Sequence, residues 1–242
     1  MSRSTEAGPG AFDPSWGAPG PRGFAPRGWL VIGLAAVLPA AILGTLAGAV
    51  WGWPSGIATA IVCLTALAAW VSVQDRLAFR AVAARRLAPS SEPRLRNVAV
   101  GLAGDLGARG VSLWVIPGPR VRALGCGPRD RPWVAVSEGL LGSFARIELE
   151  AALAFLLTRQ RGRGAWPVRV AAALGPLSGP ARARDQIDDD LRAVALTRYP
   201  PGLASAIARI EPARGRMRHF EIVPAGPGDA STDERVGALS DL

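Results

Sequence analysis

The sequence predicts an α+β protein: an N-terminal hairpin of two transmembrane helices, then one cytoplasmic domain built of helices and a small β-meander. Three observations carry this. Two long uncharged apolar stretches, residues 30–50 and 56–73, lie close together near the start of the chain. Beyond them, helical and strand-like periodicities share a segment long enough for one domain. Finally, 49% of the 242 residues are hydrophobic and the mean hydropathy is +0.22, which excludes a disordered basic protein in spite of a net charge of +9.

Residues 1–28 read as a disordered tail, because Pro9, Pro14, Pro19, Pro21 and Pro26 alternate with glycines and no apolar run forms. The basic and apolar regions of a cleaved signal peptide would lie nearer Met1, so no targeting sequence is assigned.

Residues 29–73 form the predicted hairpin. At about 1.5 Å per helical residue, each apolar stretch covers the roughly 30 Å of hydrocarbon in a bilayer. Trp29, Trp51, Trp53 and Trp70 fall where interfacial aromatics belong. Arg22 and Arg27 precede the first span, Arg76, Arg80, Arg85 and Arg86 follow the second, and the connection carries no charge. Both termini are therefore expected on the cytoplasmic side of the cell membrane. The arginines after the second span are a topology signal, and they also suit anionic lipid head groups. Ala40, Gly44, Gly48 and Gly52 recur every fourth residue and leave a smooth helix face. That face suits packing against the second span, or homodimerisation through Gly44, Gly48 and Gly52.

Residues 74–212 supply the cytoplasmic domain. A helix over 77–87 continues the second span inward until Pro89 breaks it. Leu95, Val98, Leu102 and Leu106 mark a helix over 95–106, ended by the glycines at 107 and 110. Runs 111–116, 121–124 and 133–136 have strand composition and are separated by turn residues, which predicts a meander. Ser143 is placed to cap a helix over 144–160 whose core stripe is Leu149, Ala152, Leu153 and Leu156. Further helices start near Asp188 and at Gly202. The stretch 165–177 contains Pro167 and Arg169 and is too short to cross a bilayer. Residues 213–242 read as a polar, loosely held C-terminal tail.

Composition closes several functional classes. All 28 basic residues are Arg, which fits an Arg-biased genome better than selection for phosphate contacts, so no nucleic-acid partner is expected. His219 is the sole imidazole and reads as a solvated residue; Cys63 and Cys126 are the only thiols. A disulfide framework and any zinc site needing two His are thereby excluded. Arg129 and Arg131 lie near Cys126, but no paired base accompanies a thiol nucleophile. Ser137, Ser143 and Ser178 lack a recognisable triad context. Asp185, Asp188, Asp189 and Asp190 suit either a hard cation or, more simply, a helix N-terminus. No phosphate-binding loop or dinucleotide fingerprint occurs.

The order of elements carries a resemblance. Gly139-Leu140-Leu141 followed by Glu148-Leu149-Glu150-Ala151-Ala152-Leu153-Ala154 resembles the G-L-L and E-L-E-x-V-L-A runs that lead into H-E-x-x-H in membrane zinc metallopeptidases of the HtpX and CAAX-prenyl-protease type. Residues 123–130, ending in Gly127-Pro128-Arg129-Asp130, are similar to that family's N-A-F-A-x-G-R-D turn. Asp188-Asp189-Asp190 with Ala193-Val194 and Leu196-Thr197 is similar to its E-A-D-x-x-A-V-x-L-T, and Thr232-Asp233-Glu234-Arg235-Val236 is a fainter echo.

The resemblance implies a zincin-like domain in which two His, one helical turn apart, bind zinc beside a Glu that activates water. Here those three positions hold Phe155, Leu156 and Arg159, and the third-ligand position holds Asp188. Phe cannot ligate, Leu cannot take a proton, and Arg repels a cation. The expectation is a degenerate member with no catalytic, cofactor or metal residues: a pseudoenzyme acting as scaffold, regulator or polypeptide-binding module with an unidentified protein or peptide partner. In active relatives an extended substrate pairs with the sheet edge beside the metal helix, which needs no catalytic side chain. The alternative is a membrane zinc endopeptidase whose ligands are non-standard or supplied by a partner.

Overall fold

The computed structural model describes residues 26–163, 165–174, 182–226 and 229–242. The tail predicted over 1–28 therefore lies almost wholly outside the described residues, as does Ser178.

Helices α1 (Pro26–Trp51) and α2 (Trp53–Ala81) pack side by side. They reverse at Gly52, whose φ of 88° lies in the region that favours glycine, and the Ser55 hydroxyl donates to the Ala47 carbonyl across the turn. The small-residue face of α1 meets α2: a Cβ on Gly56 would lie 2.7 Å from the Gly44 carbonyl oxygen and 3.2 Å from the Gly48 Cα. Of the two uses of that stripe, the structure displays the intrachain one. α2 is long and apolar enough to cross a membrane, and its apolar stretch is almost unburied by protein. Leu38, Ile42, Leu46, Ile57 and Ile61 are exposed around the pair.

α2 does not stop at the end of its apolar stretch. Its last turns enter the domain, burying Gln74, Asp75, Ala78 and Phe79. It then ends at Ala81, not at Leu87 as the periodicity predicts. Ala83 adopts φ 51°, the Ala84 N–H donates to the Phe79 carbonyl and the Ala83 N–H to the Arg80 carbonyl, a Schellman closure. With Ala where glycine usually stands, the stop signal is absent from the sequence. Arg85–Arg86, expected in the helix, form strand β1 instead.

α3 (Pro93–Asp105) buries Leu95, Val98 and Leu102 as the spacing predicts. β2 (Ser112–Ile116), β3 (Ala123–Cys126) and β4 (Trp133–Ser137) complete a sheet of order β1-β2-β4-β3. This corrects the meander. β4 is parallel to β2 and antiparallel to β3, with Trp114 opposite Ala135 and Leu124 opposite the same residue. The β2–β3 connection contains Pro117 and Pro119 and makes no tight hairpin, and β4, buried along all but its first residue, takes the central position.

Period-two alternation divides the sheet between two layers. Leu113, Ala123, Val134 and Val136 join the core around α5 (Arg146–Arg163). Ile116, Leu124, Cys126 and Ala135 face the end of α2 and α6 (Ala165–Leu174). There Phe79 meets Trp114 and Trp133 edge-on at centroid distances of 5.4 and 5.9 Å. From Ala151 to Gln160 α5 is buried on all sides, with Ala151, Ala154, Phe155 and Leu157 joining the predicted stripe. Ser143 does not cap it. Ser137 caps the short helix α4 (Glu138–Ser143), accepting from the Leu140 N–H, while the Glu148 carboxylate accepts from the Ala145 N–H before α5.

α7 (Arg182–Thr197) starts earlier than predicted, so Asp188, Asp189 and Asp190 lie beyond its first turn and are not a dipole cap. α8 (Pro200–Arg209) follows. The C-terminal tail reading is also corrected. Residues 220–223 are buried, a short 3-10 turn spans Gly215–His219, and α9 (Thr232–Ser240) opens with a Ser231–Glu234 capping box and packs on α8. Phe220, Ile222, Val223 and Leu239 supply apolar bulk that local polarity concealed, and His219 is buried, not solvated.

Candidate functional site

α5 brings Phe155, Leu156 and Arg159 together against the sheet, and all three are buried. Phe155 and Leu156 are 0% exposed, so neither lines an open cleft. Leu156 lies beneath β3, where the absence of a side chain at Gly125 allows the approach: a Cβ there would be 3.2 Å from the Leu156 Cβ.

Arg159 lies above the Phe155 ring, with its guanidinium carbon 5.3 Å from the centroid. Its Nη1 donates to the Glu221 carbonyl at 2.9 Å and its Nη2 to the Phe220 carbonyl at 2.7 Å. A second guanidinium, that of Arg235, is 5.1 Å from the same ring centroid. Arg235 is fully buried and binds Asp190 through both carboxylate oxygens, at 2.8 and 2.6 Å, while its Nη1 donates to the Ile222 carbonyl at 2.6 Å. The site is thus a filled cluster: one aromatic ring, two cations, and a carboxylate that neutralises the deeper cation. Burial pushes the Asp190 carboxyl above its ordinary range, against the pull of Arg235.

Asp188 is half-buried on α7, and the carboxylate joined to the Phe155 face through Arg235 belongs to Asp190. Periodicity misses Asp190, Glu221 and Arg235, because each is a charged residue whose burial depends on an ion-pair partner far away in the chain. The family-like echoes around 188–190 and 232–236 were the signal that marked two of them.

Zinc, which the resemblance implies, does not fit these residues. Where two imidazoles and a carboxylate would be needed there are an aromatic ring, an isobutyl group and a guanidinium already bonded to two carbonyls. Among the described residues, no group of three or more His, Cys, Asp or Glu side chains is arranged to hold a metal ion.

A second polar cluster joins α2, α6 and the β3 end. Asp75 Oδ2 accepts from the Gly127 N–H at 3.2 Å and from Arg169 Nε at 2.8 Å. Cys126 is buried beside it. Burial first, and the Asp75 charge second, push that thiol well above its ordinary value, so the sequence neighbours Arg129 and Arg131 do not make it a thiolate.

No protein-family model matches the chain, and no solved structure matches it. Among curated proteins the chain is similar to the Protease HtpX homolog of Acaryochloris marina (strain MBIC 11017), with 33% identity over 145 residues. That alignment covers 58% of this chain and 48% of the relative, so the match spans about half of the relative's length. The similarity supports an HtpX-like relationship.

Proposed function

We propose that this chain is a membrane-anchored, non-catalytic relative of the HtpX-like metallopeptidases, acting as a scaffold or regulator of other polypeptides. The observation that carries the reading is the use to which Arg159 is put. A guanidinium cannot hold a cation, and this one is committed to two main-chain carbonyls and an aromatic ring. Phe155 and Leu156, packed in the core, offer neither a metal ligand nor a proton-accepting group beside it.

In this reading α1 and α2 both cross the cell membrane, and both termini lie in the cytoplasm. The length and exposed apolar surface of α2 support the span. Exposed Arg76, Arg80, Arg85 and Arg86 at its domain end support the orientation. The partners are the bilayer and a protein of unidentified sequence.

Incubation of the full-length protein in detergent micelles with an unfolded substrate such as casein tests the reading. No cleavage is expected, with or without added zinc. Cleavage that a chelator abolishes would establish the alternative, an endopeptidase with unconventional or borrowed ligands.

A further inference from the structure

Exposed arginines elsewhere in the domain can stand beside carboxylates, as Arg109 and Arg120 do at 3.9 Å from Asp130 and Glu211. The end of α2 is different. Arg76, Arg80, Arg85 and Arg86 are exposed, and no Asp or Glu occurs from residue 76 to residue 91. Among the described residues, none of the four side chains has a hydrogen-bond or ion-pair partner. We propose that Arg76, Arg80 and Arg86 form a headgroup site for an anionic phospholipid of the leaflet from which α2 emerges, and that Arg85 stands outside it.

The fold brings three of the four cations to one place and turns the nearest carboxylate away. Arg76 and Arg80 are four apart on α2 and share one flank of it. Asp75, about 100° from Arg76 around the helix axis, faces Arg169 on α6 and the Gly127 N–H just beyond β3. The Schellman closure at Ala83 then returns the chain to the sheet as β1, at the edge opposite β3. In that pairing Arg86 lies opposite Trp114, so its side chain leaves the sheet on the face where Trp114 meets Phe79 of α2. Arg85, opposite Val115, lies on the other face, with Leu113.

Depth favours a lipid over a soluble anion. The uncharged stretch of α2 closes at Val73, with the exposed Trp70 at its boundary. The headgroup layer adds roughly 5–8 Å beyond the hydrocarbon, and one turn from Arg76 to Arg80 covers about 6 Å. The two guanidinium groups therefore span that layer, and Arg86 approaches it from the domain side. A phosphodiester accepts the paired N–H donors of a guanidinium, and each cation at an anionic leaflet adds to the attraction. The inference rests on the reading that α2 crosses the membrane.

The test offers the full chain, in an uncharged detergent, equal amounts of phosphatidylglycerol and phosphatidylcholine of one chain length, and native mass spectrometry counts the lipid retained. Phosphatidylglycerol is expected to be preferred by about tenfold or more. Arg86→Ala should lower that preference about fivefold, Arg80→Ala combined with Arg86→Ala should abolish it, and Arg85→Ala should leave it within about twofold. Because these side chains have no partner among the described residues, the variants are expected to melt with the unmodified protein. Equal retention of the two lipids, or an unchanged preference in the double variant, overturns the proposal. So does an equal loss in Arg85→Ala and Arg86→Ala, which would show diffuse charge and no site. Displacement of the phosphatidylglycerol by millimolar inorganic phosphate overturns the lipid assignment in favour of a soluble anion. Vesicles of phosphatidylcholine alone separate this inference from the span. Protein that stays in them through an alkaline wash, yet shows no lipid preference in detergent, overturns the headgroup site only; protein released by the wash overturns the span and the site with it.

Discussion

Arg159 and Arg235 face the same aromatic ring, the first held by two backbone carbonyls and the second by the Ile222 carbonyl and the Asp190 carboxylate, so Phe155 is enclosed on its polar side as well as by the core. Phe155→Ala removes a fully buried ring and leaves both cations without their stacking surface. The expected loss is about 3–5 kcal/mol in denaturant unfolding; a change within about 0.5 kcal/mol would mean that the ring is not enclosed. Glu148 supplies a pH-dependent test. Burial alone raises its carboxyl, but bonds from the Ser205 hydroxyl at 2.5 Å, from Arg209 at 2.6 Å and from the Ala145 N–H outweigh this and leave the pKa lowered. A lowered carboxyl stabilises the fold above the ordinary glutamate range and loses that contribution as pH falls through its folded value. Ser205→Ala should therefore cost about 1.5–3 kcal/mol at neutral pH. The gap from the unmodified protein should narrow in acid. An equal gap at both pH values would show that the ionised carboxylate is not the acceptor.

Among the elements, α2 has a double assignment: apolar over its first part and wedged into the domain by its last turns. The Asp75–Arg169 pair is the polar hold between it and α6, with the carboxylate 3% and the guanidinium 23% exposed. Arg169→Leu leaves an uncompensated buried carboxylate, at a cost of up to about 3–5 kcal/mol, and adding Asp75→Leu should recover a large part of it. A double variant no more stable than the single one would remove the pair from the account. Higher up, Gly56→Val would place its side chain against Gly44 and Gly48 and is expected to destabilise the helix pair by about 1–3 kcal/mol, read as a lowered melting temperature in micelles. Helices with a clear apolar stripe, such as α3 and α5, were legible in the sequence. The end of α2 was not, because Ala83 does the work of a C-terminal glycine. Nor was the strand order, since three similar apolar runs do not say which lies in the middle.

For the whole molecule, the sheet separates a core around α5 from a second layer made by the α2 end and α6, so the membrane helix is part of the domain's packing. That Phe155, Leu156 and Arg159 are unsuited to hold zinc was readable from their chemistry alone. The cluster around them was not, because Arg235 and Phe220–Val223 come from a segment whose Gly, Pro and Arg content suggests a tail and whose burial depends on contacts far away in the chain. The central claim is that the position of a metal in active relatives is here filled by a guanidinium and an aromatic ring. Its most direct test is elemental analysis of the full-length protein, purified in detergent, incubated with zinc and freed of unbound ion. The account predicts far less than one zinc per chain; one zinc per chain, retained through that purification, would contradict it.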